Sequence, residues 1–328
     1  MCNNAVGIVG VGAYLPEKVL TNQDLEKMVD TTDDWIITRT GIKERRISSP
    51  EDATSDLGAR AAEEALKDAG LSPQEIELII CATITPDMFF PSTACFIQRK
   101  IKAFNAVCFD ISAACTGYIY AINMAEQFLK NGTYRNALVI GAEKLSAITD
   151  WTDRSTCVLF GDGAGACVLR KVDKGGIIST YLGTDGNQVD LLQIPAGGSR
   201  MPASFSTVEK RLHFLKMEGS ELFKHAVKLM ADAAEKALAQ AGLDCKDVTY
   251  LIPHQANIRI LQAVAKKIGI SMDKIYLNIE KYGNMSSAST AVALYETVKF
   301  KKPKKGNIIV LVAFGSGLTW GATVIEWA

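Results

Sequence analysis

Eight cysteines and three histidines are the residues of this chain best suited to covalent or acid–base chemistry, and their spacing sorts them quickly. Residues 2, 81, 95, 108, 115, 157, 167 and 245 are the cysteines, and no two have CxxC spacing. Most lie in apolar strings (IICAT, AVCFDI, TCVLF, GACVL), where a reduced cysteine packs as a small core residue. His213, His225 and His254 form no HxxxH or HExxH pair, which leaves a metal without ligands at usable spacing. Cys115 differs from the rest. It falls between an apolar strand and an apolar helix in FDISAACTGYIYAINMAEQ, where unsatisfied helix N–H groups favour a thiolate and the small residues Ala113, Ala114 and Gly117 leave room for a substrate. His254 occupies a second strand-to-helix loop (TYLIPHQAN), and Asn284 a third (YGNMSSAS). Local sequence alone leaves Cys115 open between nucleophile and buried filler. It likewise leaves His254 open between a reactive group and a structural hydrogen-bonder, and Asn284 between a donor and an Asx turn-former.

A repeat positions these loops. Residues 61–71 (AAEEALKDAGL) match residues 233–243 (AAEKALAQAGL) at eight of eleven positions, an offset of 172. SPQEIELII (72–80) aligns with DCKDVTYLI (244–252) at the same offset, and RNALVIGAE (135–143) with GNIIVLVAF (306–314) at 171. Three segments in one order imply a duplicated unit, with halves 1–172 and 173–328. Within each half short apolar strands (IELIICAT, AVCFDIS, NALVIGA; TYLIP, IYLNIE, NIIVLVAF) alternate with helical stretches, which predicts an α/β fold with sheets covered on both faces. The segment 116–127, apolar almost all round, predicts a helix buried between layers. Loops beyond the carboxyl ends of strands then gather the reactive residues at one centre.

Composition removes other classes. Lys+Arg and Asp+Glu both number 36, so no global positive field serves nucleic acid, and 48% hydrophobic residues suit a globular chain. No apolar run reaches the 18 or more residues of a membrane span, and the first basic residue, Lys18, follows the apolar start; a cytoplasmic protein without a signal peptide is expected. GIVGVGAYLP lacks GxGxxG spacing. FGDGAGA and FGSGLTWG lack the Lys-Ser/Thr of a P-loop and are expected to serve tight turns or close backbone approach.

ISAACTGYIYA, IPHQAN, YGNMSSAS, FGDGAGA and AFGSGLTWG, together with DDWIITRTGIKERR, closely resemble the β-ketoacyl-acyl-carrier-protein synthase III family across essentially the whole chain. The resemblance implies a thiolase-like, layered α-β-α-β-α fold and a Cys115–His254–Asn284 centre. In it the backbone N–H groups of Cys115 and Ser316 hold the oxyanion. It further implies a short acyl-CoA substrate whose adenine lies between Trp35 and Arg154, with Arg39 near the phosphates and Asn257 on the pantetheine arm. The same resemblance implies that Phe90 caps the acyl pocket across a homodimer interface, that malonyl-loaded acyl carrier protein docks on Lys224, Gln255, Arg259, Lys266 and Lys267, and that no bound cofactor or metal is needed. Ser316, Leu318 and Met285 depart from the common pattern (Gly, an aromatic and Thr); the backbone donor of Ser316 survives its side-chain change, while Leu318 and Met285 leave primer size and branching open. The alternatives are a specialised-lipid or secondary-metabolite acyltransferase on the same centre, and a non-catalytic carrier-protein-binding homologue.

Overall fold

The structure, a computed structural model, describes residues 5–328, so Cys2 lies outside the described residues. The first half of the chain builds strands β1 (Val6–Tyr14), β2 (Leu78–Ala82), β3 (Val107–Ile111), β4 (Asn136–Lys144) and β5 (Asp162–Lys171). They form a sheet of order β1-β5-β4-β2-β3. Its longer helices are α1 (Asp33–Thr40), α2 (Thr54–Ala69), α3 (Thr93–Ile101) and α4 (Gly117–Lys130). The second half builds β6 (Gly176–Thr184), α5 (Gly219–Gln240), β7 (Val248–Pro253), α6 (Ile258–Ile268), α7 (Ser287–Glu296), β8 (Ile308–Gly315) and β9 (Thr319–Glu326). Its sheet runs β6-β9-β8-β7.

The two orders are the same order. β1–β5 and β5–β4 pair antiparallel, as do β6–β9 and β9–β8; β4–β2 and β8–β7 pair parallel. The fifth position differs. β3 pairs parallel with β2 over five residues, whereas its second-half counterpart pairs with β7 through the single bridge Leu251–Ile275. IYLNIE, expected as a strand, is therefore reduced to that bridge, and the chain turns instead into the short helix Ile279–Tyr282.

Strand residues alternate between layers, as the two-residue period demands. Leu78, Ile80 and Ala82 of β2, with Ile309, Leu311 and Ala313 of β8, face a central core shared with Tyr118, Ile119, Ile122 and Leu129 of α4 and Ala291 and Leu294 of α7. Ile79 and Cys81 point the other way, against α2 and α3. Val310 and Val312 point against α5 and α6. Five layers result, and the apolar helix predicted from 116–127 lies in the middle one. At about 1.5–3 kcal/mol for each fully buried aliphatic side chain, this alternation holds the register, because a one-residue slip would exchange the layers. Among the described residues no helix is long and apolar enough to cross a membrane. Nor does any group of three His, Cys, Asp or Glu there suit a metal ion.

Candidate active site

Cys115 lies where β3 ends. The helix does not open on it: Ala114–Thr116 form a 3₁₀ turn and α4 begins at Gly117. Ala114 takes φ 47°, a left-handed conformation that carries strain in a residue with a Cβ. Cys115 is 8% exposed. The lowered thiol pKa expected from the helix start is not found: burial pushes the Cys115 thiol up to about 12, with the Ser286 hydroxyl pulling down and the charge of Glu143 pushing up.

The opposite wall comes from the terminal glycine-rich loop, and its tightness explains one glycine. A Cβ on Gly315 would stand 2.7 Å from the backbone nitrogen of Cys115 and 3.1 Å from the Ala114 Cβ, so only glycine lets β8 approach the turn this closely. Ser316 follows. Its hydroxyl donates to the Leu192 carbonyl oxygen, and Thr319 ties the loop to the turn, its Oγ1 2.9 Å from Thr116 Oγ1 and 3.2 Å from Ala113 O.

His254 follows β7, and its backbone N–H donates to Val312 O on β8 at 2.7 Å. Burial holds its imidazole down to about 3, so it is neutral at physiological pH, and its Nδ1 has no protein partner. Asn284 is reached through FGDGAGA: its backbone accepts from Gly161 N at 3.0 Å and donates to Leu159 O at 2.8 Å, on either side of Phe160. Gly161 leaves no room for a Cβ beneath the Tyr282 carbonyl, which is what the glycine there permits. The Asn284 Oδ1 accepts from Ser286 N at 2.8 Å, leaving the amide NH₂ as the group free to donate.

Two cavities converge on these residues. One, about 350 Å³, is walled by Cys115, Asn284, Ser316, Leu145, Phe160 and Leu215 among others. The other, about 160 Å³, is walled by Cys115, Asn284, His254, Asn257, Phe223 and Phe314 among others. A thiol and a side-chain amide thus line both cavities, and a neutral imidazole lines the smaller one. A model described as 3-oxoacyl-[acyl-carrier-protein (ACP)] synthase III matches residues 109–186, and its C-terminal counterpart matches residues 238–327. A protein of Caldanaerobacter subterraneus subsp. tengcongensis named β-ketoacyl-[acyl-carrier-protein] synthase III is 57% identical over 330 residues, covering 100% of both chains. The chain belongs to the β-ketoacyl-acyl-carrier-protein synthase III family. It also resembles the crystal structure of the Aquifex aeolicus synthase III at 48% identity and TM-score 0.91, covering 98% of this chain and 100% of that one. A priming β-ketosynthase from the R1128 polyketide pathway stands at 34% identity and TM-score 0.92, covering 98% and 96%. The layered fold described above is the thiolase fold of this family.

In this family member the other residues singled out in the sequence divide by location. Trp35 is half-buried on α1, with the guanidinium carbons of Arg154 and Arg39 5.0 and 5.6 Å from its ring centroid. Arg154 also donates to Asp30 O at 2.8 Å, and it lies too close to the indole to admit a third ring between them; an adenine would enter by displacing it. Asn257 caps α6, its Oδ1 accepting from Arg259 N and its Nδ2 donating to Arg39 O, both at 2.9 Å, and it lines the smaller cavity. Arg259 stacks over Phe223 at 5.7 Å beside that same cavity. Lys224, Lys266 and Lys267 are exposed on α5 and α6, and exposed Lys228, one turn after Lys224, adds a charge that the sequence reading missed. Lys224 pairs with Glu221 at 2.8 Å and Lys267 with Asp232 at 3.9 Å, exposed contacts worth little. Phe90 is 83% exposed and lines neither cavity of its own chain.

Gln255 is the correction. Expected at a docking surface, it is 0% exposed, with both ends of its amide engaged by backbone, so it cannot touch a protein partner. Glu143, which sequence reasoning passed over, is also fully buried behind Cys115. Its Oε2 accepts from Thr83 Oγ1 (3.1 Å), Ile84 N (3.1 Å) and Thr85 Oγ1 (2.8 Å), and its Oε1 from Ser287 Oγ (2.9 Å). Burial raises its pKa against those bonds. One acid inside the apolar run of β4 was the available signal.

Proposed function

We propose that Cys115, His254 and Asn284 carry out the condensation that starts type II fatty-acid synthesis. The observation that supports this most is the meeting of two cavities at Cys115 and Asn284, with His254 in the wall of one. The Cys115 thiolate attacks the thioester carbon of a short acyl-CoA, acetyl being the expected primer. The resulting oxyanion is held by the N–H groups of Cys115 and Ser316; the C–S bond breaks and CoA leaves with a proton. Malonyl-acyl carrier protein enters next. Its C2–carboxylate bond breaks, CO₂ leaves, and the bond's electron pair forms an enolate whose oxygen takes hydrogen bonds from the neutral His254 ring N–H and the Asn284 amide. C2 then attacks the acyl-Cys115 carbonyl, and the thiolate departs from a 3-ketoacyl carrier protein. No step transfers electrons to a cofactor or requires a metal.

Trp35, Arg39, Arg154 and Asn257 are assigned to CoA. Lys224, Arg259, Lys266 and Lys267 are assigned to the acidic carrier protein at the mouth of the smaller cavity. Arg259→Glu is expected to raise the KM for malonyl-carrier protein roughly tenfold while acylation by acetyl-CoA stays within about twofold, since a rim charge acts on encounter with its partner. Equal loss of both activities would refute the assignment.

A homodimer through the open edge of β3 is proposed from its exposed Val107, with Phe89, Phe90 and Phe104 exposed nearby. Phe90 would then cap the partner's acyl pocket. Phe90→Ala is expected to gain activity on longer acyl-CoAs; an unchanged chain-length profile would remove it from that role. The division at residue 172/173 and a cytoplasmic site of action belong to the same reading. Incubation with a panel of acyl-CoAs, weighing of the acyl-enzyme and addition of malonyl-carrier protein tests the whole. Acetyl labelling followed by acetoacetyl product supports it. Labelling by unusual acyl groups alone supports the specialised-lipid reading, and no labelling the non-catalytic one.

A further inference from the structure

The buried side chain of Gln255 joins the segments that carry His254 and Asn284. Its Nε2 donates to Pro253 O at 2.8 Å, the carbonyl immediately before His254, and to Tyr276 O at 3.0 Å. Its Oε1 accepts from Asn278 N at 3.1 Å and Ile279 N at 3.2 Å. Two donors and two acceptor sites are all that a glutamine amide has, and all four are used on backbone. Asn278 and Ile279 open the short helix Ile279–Tyr282, and Asn284 stands two residues beyond its end. The far side of that helix is also fixed: Asn278 Nδ2 and Tyr282 Oη donate to the two oxygens of buried Glu296 on α7, at 2.7 and 2.8 Å. A rigid path therefore runs from the peptide beside His254, through one amide, to the loop of Asn284.

We infer that Gln255 is a positioning residue that sets the spacing between His254 and Asn284, and so serves the decarboxylation half of the reaction and not the acylation half. The inference rests on the condensing reading above. Acylation needs Cys115 and the N–H groups of Cys115 and Ser316, which the β3–α4 turn and the β8–β9 loop hold. Gln255 bonds to neither. Stabilising the enolate needs two donors on one oxygen, and those two donors come from the segments that Gln255 ties together.

Gln255→Met, similar in length and unable to hydrogen-bond, is expected to lower CO₂ release from malonyl-carrier protein by about 10²-fold or more, the scale of a misplacement near 1 Å. Single-turnover acetylation of Cys115 should stay within about threefold, and the KM for the carrier protein within about twofold. Gln255→Glu keeps the acceptors and loses both donors while ionised, so its CO₂ release should rise as pH falls and a protonated carboxyl restores one donor, where the unmodified protein is flat. A crystal structure of Gln255→Met reads the same point without turnover, with His254 and Asn284 both displaced. A raised KM at unchanged kcat would mean that Gln255 acts on carrier binding and would overturn the inference. Equal loss in both half-reactions would make it a general structural residue, and unmoved His254 and Asn284 would overturn the inference whatever the activity. Failure of the unmodified protein to release CO₂ would instead sink the reaction assignment, leaving the crystal structure to decide on Gln255.

Discussion

Gly315→Ala is expected to lower the rate of Cys115 acetylation by about 10²-fold or more in a chain that still folds. The added methyl would sit 2.7 Å from Cys115 N, 3.1 Å from the Ala114 Cβ and 3.3 Å from the Cys115 Cβ, so backbone must move on one side or the other. Neither side has slack. The turn is bound to Thr319 through Thr116 and Ala113, and β8 is paired to β9 along its whole length, Gly315 included, and to β7 from Ile308 to Val312. Whichever side yields, Cys115 N separates from the loop of Ser316, and the two assigned oxyanion donors lose their common target. Removing one such donor costs on the order of 10²–10³ in rate, and a shift near 1 Å a comparable factor. Intact-mass acetylation at early times, with a melting curve to exclude unfolding, gives the reading. Wild-type acetylation would show that the oxyanion site is not built from these two loops.

His254→Ala is expected to lower CO₂ release from malonyl-carrier protein by about 10²–10³-fold, the scale of one lost oxyanion donor, and to leave acetylation within about tenfold. Burial separates the two half-reactions in pH as well. With the thiol pushed up to about 12, the thiolate fraction of the unliganded site grows about tenfold per pH unit, so acetylation should climb steadily from pH 6 to 9. With the imidazole held down to about 3, decarboxylation should be level over the same span. Stability follows the opposite sign rule for the two groups. The depressed His254 contributes stability above its ordinary value of 6.5 that is lost as pH falls towards 3, at no more than about 1.4 kcal/mol per pH unit. The raised Cys115 contributes stability below its ordinary value of 9.0 that is lost as pH rises towards 12. Decarboxylation that rose and fell with a midpoint near 6.5 would contradict a neutral, buried His254.

The duplicated fold was legible because the duplication survives in residues: AAExAL and the paired apolar strands mark the same positions in both halves. IYLNIE misled because its pattern is a strand's while its partner edge offers one bridge. The convergence of Cys115, His254 and Asn284 on two adjoining cavities was legible through loop position and resemblance. The thiol's electrostatics were not, because a helix terminus is visible in local sequence and desolvation by a whole fold is not. Gln255 was placed at the docking surface by the resemblance alone, which carries no information on its burial. Its burial depends on the backbone of residues 276–279, twenty-one or more positions away. Glu143 stayed hidden for the same reason, since its donors Thr83 and Thr85 lie some sixty residues before it and Ser287 far after.

Cys115, Leu192, Met217 and Asn284 belong to the walls of both cavities. That shared wall amounts to a railway junction with a single set of points. If Cys115 carries the acyl group as proposed, an acyl group settled into the larger cavity would clear the smaller one, and the spent carrier would have to back out of that branch before the next arm came down it. On the proposed assignment free CoA and the second substrate contend for one berth, so sequential arrival would follow from the layout itself and ask for no moving gate.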